Sequence, residues 1–300
     1  MKTQIRHLSN LLRLAALLVA AATCGGAAAQ TSGAKAAPPP SRILLAINEG
    51  GAANADATET LFKYQEFAEM AERALRVQIV MVAVRDRDKL KSSLKKQEYP
   101  LLLARPNDVP AEAIRDFGYR PIAMAKERSH TLFIVPKDSA LKSIADVKGR
   151  TIVTPDAYSN MWRVANAMLR DANIVMANEK VRAMRDQAAI GWSMENKFFD
   201  VGVINSISGV GRTWEKNGGR VIARSRELPN MPFIASPAIS DEQIAKLRSA
   251  VVALDDSDSG KTILKKIGIN TGFQSASAKD FLDFLAWIGD LEAAKNATQP

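Results

Sequence analysis

The segment between a predicted strand and a predicted helix offers the clearest place for binding chemistry. The stretch Pro155–Trp162 reads PDAYSNMW, and the helix is expected to begin near Ser159. The first backbone N–H groups of a helix lack intrahelical acceptors, and together with the helix dipole they attract anions. Tyr158 and Ser159 would add hydroxyl groups, and Asn160 would add an amide. Alternatively, Asp156 or Ser159 only caps the helix, as most helices require.

Two other loops that follow predicted strands carry polar side chains. The loop 48–54 (NEGGAAN) holds Asn48 and Glu49 beside two glycines, which allow a ligand to approach the backbone. Glu49 would receive a ligand amine if it is buried, and is only solvated if it is exposed. Arg105 suits a carboxylate or a phosphate group, or lies on the surface beside a proline turn. The loop 48–54 has neither the P-loop sequence nor the GxGxxG spacing of dinucleotide sites.

A third group of candidates surrounds two later strands. Asp200 opens a predicted strand, and Asn205 leaves its far end, which should face the same cleft as the other strand ends. Asp200 is alternatively a turn residue. Arg182 and Arg185 flank Met184 and could reach an anion, although such residues are usually solvated.

The small number of cysteines and histidines excludes several classes of site. The chain has one cysteine, Cys24, and two histidines, His7 and His130. A structural zinc site, an iron–sulfur cluster and a disulfide framework within the chain are therefore excluded. A hydrolase with a Ser-His-Asp or Cys-His arrangement would depend on His130 alone. We accordingly expect no catalytic residue, no metal and no cofactor.

The N-terminus has the features of a secretory signal peptide. Lys2, Arg6 and Arg13 precede or flank an apolar run, 14–22, and the small residues 27–29 (AAA) form a cleavage pattern. The run is about half the length that a membrane span needs. Cleavage after Ala29 predicts a periplasmic protein; an uncleaved membrane anchor and a lipoprotein that uses Cys24 are the alternatives.

Charge and composition describe a globular chain with a moderately basic surface. Of its 300 residues, 47% are hydrophobic and 24% are charged. Removing residues 1–29 leaves 38 basic against 32 acidic residues, a net charge of +6. Such a surface favours anionic ligands, while the dispersed Lys and Arg residues do not predict nucleic-acid binding. Residues 30–41, rich in small residues and proline, predict a flexible leader.

Strands and helices alternate along the rest of the chain, which predicts parallel sheets in α/β layers. Ligands of such sheets bind beyond the carboxyl ends of the strands. Predicted strands are 43–47, 77–84, 99–104, 119–125, 130–135, 150–153, 180–184, 201–204 and 220–223. The first predicted helix begins after Asp56, and the last has Ser277 as its N-cap. The helices between them cover 86–96, 109–116, 159–171, 187–196, 208–217, 240–253 and 258–267.

Several motifs in this order resemble those of type 2 periplasmic substrate-binding proteins, and of their phosphate/phosphonate-binding group in particular. The stretch 143–152 (SIADVKGRTI) resembles the landmark at which the chain enters the second lobe. The segments 101–106 (LLLARP), 117–123 (FGYRPIA), 199–204 (FDVGVI) and 228–234 (LPNMPFI) resemble further segments of that group.

The resemblance implies an α/β, two-lobed fold in which each lobe is a mostly parallel sheet flanked by helices, with a ligand cleft between the lobes. The implied domains are the signal peptide (1–29), the leader (30–41), lobe 1 (42–131 and 229–300) and lobe 2 (132–228). The family's Ser-Thr-Ser motif falls on Tyr158, Ser159 and Asn160, and its aspartate on Asp200, while its downstream histidine has no counterpart near 184–188.

The resemblance also implies a function. The chain would be a monomeric extracytoplasmic solute-binding protein that clamps a phosphate- or phosphonate-like oxyanion, or a carboxylate, and delivers it to the permease of an ABC importer. The expected ligand-binding residues are Asn48, Glu49, Arg105, Tyr158, Ser159, Asn160, Asp200 and Asn205. A sensor or scaffold domain of the same fold that serves another membrane partner is the alternative, and an enzyme is a third reading.

Overall fold

Two mixed β-sheets flanked by helices make up the fold. The computed structural model describes residues 42–50, 56–157 and 159–290, so the predicted signal peptide, the leader and Tyr158 lie outside the described residues. The strands are β1 (Arg42–Asn48), β2 (Gln78–Ala83), β3 (Leu101–Ala104), β4 (Arg120–Ala125), β5 (Thr131–Val135), β6 (Thr151–Pro155), β7 (Lys180–Met184), β8 (Val201–Asn205), β9 (Arg220–Arg224), β10 (Phe233–Ala235) and β11 (Phe273–Ser275).

The helices occupy most of the stretches in which the apolar spacing predicted them. They are α1 (Ala57–Leu75), α2 (Arg87–Lys95), α3 (Asp108–Phe117), α4 (Asn160–Asp171), α5 (Gln187–Glu195), α6 (Gly209–Thr213), α7 (Asp241–Val252), α8 (Asp258–Lys266) and α9 (Ala278–Ile288). None of the helices in the described ranges combines the length and the apolar character that crossing a bilayer requires.

The six-stranded sheet has the order β11-β4-β10-β3-β1-β2. Strand β1 pairs in parallel with β2 and β3, while β10 is antiparallel to both β3 and β4. Four strands, β1 to β4, therefore share one direction, and β10 and β11 run against them. A mostly parallel sheet was predicted, and the strand directions agree.

The five-stranded sheet has the order β7-β6-β8-β5-β9. Strand β6 is parallel to β7 and β8, and β5 is antiparallel to β8 and β9. Strand β5 enters this sheet directly from the first sheet without a crossover helix. A connection of this kind, in contrast to a βαβ unit, leaves β5 opposed to its neighbours.

Three local predictions differ from the structure. The three-residue strands β10 and β11 were not predicted, because such short segments show no periodicity of their own and gain their hydrogen bonds from β3 and β4. The helix predicted over 208–217 ends at Thr213, and a turn continues to Gly218. The indole of Trp214 lies against Gly219, at which any side chain would collide with the ring.

Two antiparallel segments connect the sheets. The chain passes from β4 to β5 through residues 126–130 and returns from β9 to β10 through residues 225–232. Between them, the Ser129 and Leu228 backbones exchange hydrogen bonds, with N···O distances of 2.9 and 3.3 Å. The Asn230 amide also donates to the carbonyl oxygen of Glu127 at 3.0 Å. The predicted boundaries of the lobes, near residues 131 and 228, fall in or beside these segments and stay predictions.

One of the buried hydrophobic clusters contains residues from both sheets. Leu102 and Ile234 of the first sheet, Phe133 of the second sheet, Val164 of α4 and Phe284 of α9 belong to the same buried cluster. Helix α9 packs against both α3 and α4. These three helices therefore hold the two sheets together on one side of the molecule.

A buried ionic cluster crosses the same interface. Nη1 of Arg163, on α4, lies 3.0 Å from Oδ2 of Asp108 and 3.0 Å from Oε1 of Glu112, both on α3. Asp108 and Glu112 are four residues apart and so share one face of α3. The side chains of Arg163 and Asp108 are fully buried. Arg87 of α2 also contacts both carboxylates.

The Arg163 guanidinium also reaches α9. Its Nη2 donates to the carbonyl oxygen of Gly289 at 2.5 Å, directly after the last turn of that helix. Arg163 thus joins α3, α4 and the end of α9. Lys91 of α2 lies 2.8 Å from Oε2 of Glu112, so Arg87 and Lys91 remain as cations beside the two carboxylates when Arg163 is replaced. Such a replacement still removes hydrogen bonds from buried acceptors, which is destabilising.

We expect Arg163→Met to lower the free energy of unfolding by about 1–3 kcal/mol, because buried oxygens of Asp108, Glu112 and Gly289 lose a hydrogen-bond donor. Urea unfolding measures the change. Arg170→Met is the matched control, since Arg170 lies on the same helix, donates to the Trp287 carbonyl oxygen of α9 at 2.9 Å, and is half-exposed. The control should lose less than about 1 kcal/mol. Equal losses in the two variants would contradict a role for burial.

Candidate functional site

A cavity of about 310 Å³ lies where strands of both sheets end. Its lining includes residues that follow β1 and β3 of the first sheet, and residues that follow β6, β7 and β8 of the second. The connecting segments contribute Ser129 and Asn230. The expectation that a ligand site would lie beyond the carboxyl ends of the strands therefore agrees with the position of this cavity.

The beginning of α4 forms one wall of the cavity. Ser159 is the N-cap, and its Oγ accepts a hydrogen bond from the Trp162 N–H at 3.2 Å. The N–H groups of Asn160 and Met161 bond to no described residue, and both residues line the cavity. Oδ1 of Asn160 is buried without a hydrogen-bond donor in the described part of the chain. This wall thus presents free donors to an anion, and Ser159 is also a cap, as the alternative reading supposed.

Glu49 and Arg105 face each other within an ionic cluster. Oε2 of Glu49 accepts from Nε of Arg105 at 2.8 Å, and Oε1 accepts from Nζ of Lys63 at 3.0 Å and from the Tyr64 hydroxyl. The Arg105 guanidinium also donates to the Ile267 carbonyl oxygen. Both oxygens of Glu49 therefore have partners within the protein, and Glu49 orients Arg105 at the cavity.

The surroundings of Glu49 set its protonation. Burial raises the pKa of the carboxyl group, but Arg105, the Tyr64 hydroxyl and Lys63 together lower the pKa below its ordinary value of 4.5. Glu49 is accordingly ionised at neutral pH, and it neutralises part of the positive charge of Arg105 and Lys63.

Asn48 and Gly50 shape the loop that carries Glu49. The Asn48 amide donates to the Val84 carbonyl oxygen at 2.7 Å, and its Oδ1 accepts from the Gly50 N–H at 3.2 Å. Asn48 is buried and does not line the cavity. Gly50 has a φ of +73°, and a Cβ there would lie 2.9 Å from Cγ of Pro106. Close approach of the two loops therefore requires glycine at this position.

Asn205 and Asp200 lie at opposite ends of β8. Asn205 lines the cavity, and its Oδ1 accepts from the Ile207 N–H at 3.0 Å. Asp200 lies before the strand, where its Oδ2 accepts from both the N–H and the hydroxyl of Thr151 at 2.8 Å. The structure therefore does not bring Asp200 to the cavity. A residue that precedes a strand faces the amino edge of a parallel sheet, and the predicted site lies at the carboxyl edge.

Several cavity residues were not among the expected site residues, and three of them lie directly at the end of a strand or the start of a helix. Asp156 follows β6, Arg185 follows β7, and Asn107 is the N-cap of α3. Asn107 makes no side-chain capping bond, and it is 98% buried with its Oδ1 lacking a donor among the described residues. All three come directly after a strand or before a helix, and this position was the signal by which the sequence could have identified them.

The charges around the cavity favour an anion. Arg105, Arg185 and Arg212 line it together with the carboxylates of Glu49 and Asp156. Arg105 is paired with Glu49, and Arg212 is paired with Glu127 at 2.8 Å. Arg185 forms no ion pair with any described carboxylate. A free guanidinium and the free N–H groups at the start of α4 together make a site for a small oxyanion or carboxylate.

Comparison with known protein families identifies the scaffold. The family described as "ABC transporter, phosphonate, periplasmic substrate-binding protein" matches residues 50–281. The chain belongs to this family. The sequence matches none of the curated proteins with which it was compared.

Several solved structures have a fold similar to that of this protein. A Xanthomonas citri protein bound to ATP is 14% identical, with a TM-score of 0.69 over 87% of this chain and 100% of its own. PhnD1 of Prochlorococcus marinus, in complex with methylphosphonate, is 15% identical, with a TM-score of 0.64 over 85% and 98%. A binding protein of a phosphonate ABC transporter from Pseudomonas aeruginosa is 16% identical, with a TM-score of 0.61 over 86% and 89%.

These findings confirm the family resemblance, the two-lobed α/β fold class and the solute-binding role expected from the sequence. Proteins of this family work in the periplasm and deliver ligands to a membrane permease. At 14–16% identity, the solved structures establish the fold of the phosphonate-family protein and not its ligand. The roles of the individual site residues stay predictions.

The ionic cluster of Glu49 predicts a pH dependence of stability. Because the pKa of Glu49 is lower in the folded than in the unfolded chain, its ionised form stabilises the fold above about pH 4.5, and this contribution is lost as the pH falls through the folded-state pKa. We expect Glu49→Gln to be less stable than wild type at neutral pH. The difference should shrink in progressively more acidic buffers.

Thermal unfolding at a series of pH values measures this difference. Glu66→Gln is the control, because the Glu66 side chain is 41% exposed and pairs only with Lys266 within the described residues. It should change the free energy of unfolding by less than about 1 kcal/mol at neutral pH. A destabilisation by Glu49→Gln that is constant from neutral to acidic pH would rule out the ionised cluster as its source.

Proposed function

We propose that this protein is an extracytoplasmic solute-binding protein that clamps a small anion and delivers it to the permease of an ABC importer. The ligand classes are phosphate- or phosphonate-like oxyanions and small carboxylates. The observation that carries the proposal is the convergence of the two free N–H groups of α4 and the unpaired Arg185 on one cavity. Family membership supports the same role.

Ligand contacts would come from both sheets, and closure would follow from them. Arg105 lies after β3 of the first sheet, while Asn160, Arg185 and Asn205 belong to the second. A ligand that contacts both groups stabilises the state in which they are close together. The connecting segments 126–130 and 225–232 are the proposed hinge, with lobe 1 comprising 42–131 and 229–300 and lobe 2 comprising 132–228.

The side chains of the cavity support binding without catalysis. Nucleophilic catalysis needs a base within hydrogen-bond reach of the nucleophile. Nδ1 of His130 is 2.9 Å from the Ser225 carbonyl oxygen, and His130 is not among the residues that line the cavity. The serine hydroxyls of the cavity therefore have no histidine beside them in the described residues.

The proposed location is the periplasm, reached by a signal peptide that is cleaved after Ala29. Residues 30–41 would then form a short leader before β1. The proposed partner is a membrane permease, and the proposed state is a monomer that binds no nucleic acid. A Gram-negative host that exports the full chain tests the location, since the intact mass of the product identifies its first residue.

A thermal-shift screen tests the binding function. The exported protein is unfolded and refolded to remove bound solute, and is then mixed with phosphate, phosphite, phosphonates, sulfonates, small carboxylates and amino acids. A ligand at about 100 times its Kd adds roughly 2.7 kcal/mol to stability. For a chain of this size the midpoint should rise by about 5 °C or more.

Variants show whether the shift comes from the α4 wall. We expect Asn160→Ala and Ser159→Ala to reduce the ligand-induced shift. Ser159→Ala also removes a cap, so Ser240→Ala is its control, because Ser240 caps α7 in the same way and does not line the cavity. The control should lower the midpoint without ligand by a similar amount and keep the full shift. No shift with any compound would contradict the proposed function and favour the sensor or scaffold reading.

A further inference from the structure

Met231 has a backbone conformation that is rare for a residue with a side chain. Its φ is +51°, in the left-handed region that favours glycine. Within the described ranges, the other residues of this kind each lie one or two positions after the end of a helix, where a left-handed residue is common: Arg76, Gln97, Asn173 and Lys197. Met231 instead lies in the connecting segment 225–232, and the proline that follows it favours extended backbone.

The backbone hydrogen bonds around Met231 show an inserted residue. Phe233 of β10 lies opposite Ala123 of β4. An unbroken antiparallel register would therefore place Met231 opposite Ala125 and let it accept the Ala125 N–H. That N–H donates instead to the Asn230 carbonyl oxygen, at 2.9 Å. The segment thus has one extra residue here, which makes it a β-bulge with Met231 in the left-handed position that glycine usually takes.

The core of the first sheet holds this bulge in place. The Met231 side chain is 1% exposed and belongs to the same buried cluster as Phe233 and Ile122. On the other side of the bulge, the Ala104 N–H at the end of β3 donates to the Pro232 carbonyl oxygen at 3.0 Å. A disfavoured backbone conformation persists only where its surroundings impose it, and here both the side chain and the flanking hydrogen bonds do so.

The residue beside the bulge is part of the cavity. Asn230 is buried and lines the cavity, and its Nδ2 donates to the Glu127 carbonyl oxygen of the first connecting segment at 3.0 Å. A bulge bends its strand and re-aims the side chains next to it, and bulges are frequent beside functional sites. The direction of the Asn230 side chain therefore depends on the φ of Met231.

We propose that Met231 is a positioning residue of the cavity, because its left-handed bulge directs Asn230 toward the cavity and toward the first connecting segment. Met231 is not itself among the residues that line the cavity, so it acts through Asn230. This inference rests on the proposed function, in which the cavity is the ligand site.

Glycine and alanine at position 231 separate the effect of the backbone from that of the side chain. Both substitutions remove the side chain that fills the core, but only glycine adopts a positive φ without steric cost. We expect the folding equilibrium constant of Met231→Gly to be roughly 3-fold larger or more than that of Met231→Ala, after the greater freedom of glycine in the unfolded chain is deducted. Urea unfolding of the exported protein measures both constants.

Leu247 provides the matched control for this comparison. It is fully buried in the same cluster as Met231, and it lies in the interior of α7, where the backbone is helical. Glycine is less favourable than alanine there, so Leu247→Gly should have a folding constant roughly 4- to 5-fold smaller than Leu247→Ala. If Met231→Gly is also less stable than Met231→Ala, the disfavoured bulge is overturned.

Isothermal titration with phosphate and with methylphosphonate, without urea, tests the link to the cavity. We expect Met231→Ala to bind the anions at least about 3-fold more weakly than Met231→Gly, because only molecules that keep the bulge present Asn230 to the ligand. Asn230→Ala should bind at least about 5-fold more weakly than wild type. The two Leu247 variants should bind alike. A purely structural role would give the two folded Met231 variants equal affinity, and that result overturns the positioning role.

The remaining outcomes separate this inference from the proposed function. Wild-type affinity in Asn230→Ala leaves a solute-binding protein and overturns the role of Met231. If wild type binds neither anion, the proposed site for phosphate-like ligands fails and the positioning role fails with it. The order of stability of the two Met231 variants still decides, in that case, whether the bulge is a disfavoured conformation.

Discussion

The buried guanidinium of Arg163 is the interaction on which the geometry of the cavity depends. A charge in the protein interior is tolerated only with opposite charges and hydrogen bonds around it, and Asp108, Glu112 and the Gly289 carbonyl oxygen supply them. Asp108 and Glu112 lie on α3 and Gly289 follows α9, so one side chain of α4 links all three helices. The residues at the beginning of α3 and α4, Asn107 and Asn160, reach the same cavity.

The shared core and the ionic cluster limit the ways in which the proposed cleft can open. Helices α3, α4 and α9 pack together on one side, and the connecting segments 126–130 and 225–232 pass between the sheets. Packed cores deform little, and domain closure concentrates changes in backbone angles in a few residues of the connecting segments. Opening of the proposed cleft is therefore expected to preserve the contact of α3 with α4 and to bend the connecting segments.

The cavity combines groups that attract an anion with two carboxylates in different surroundings. Free N–H groups and Arg185 attract negative charge in general. Arg105, Tyr64 and Lys63 keep Glu49 ionised, so Glu49 orients Arg105 at the cavity and neutralises part of its charge. Asp156 also lines the cavity, and it differs from Glu49 because it forms no ion pair with a described residue.

Sequence patterns by themselves determined the fold class, the order of most elements and the edge of the sheets at which a ligand would bind. Apolar periodicity and capping residues such as Ser159 and Ser240 are local, so the sequence displays them directly. The short strands β10 and β11 escaped prediction, because their pairing partners β3 and β4 are distant in the chain.

Only the tertiary structure decided which polar residues share the cavity. Asp200 was expected at the site and lies at the other end of its strand bonded to Thr151, whereas Asp156, Asn107 and Arg185 line the cavity without having been selected. The physical reason is that a polar side chain can bind a ligand only where other residues do not already occupy its hydrogen-bonding atoms. Glu49 is bonded to Arg105, which is 56 residues away in the chain, whereas the Asp156 carboxylate forms no ion pair with a described residue. Pairing between residues so far apart cannot be predicted from the local sequence.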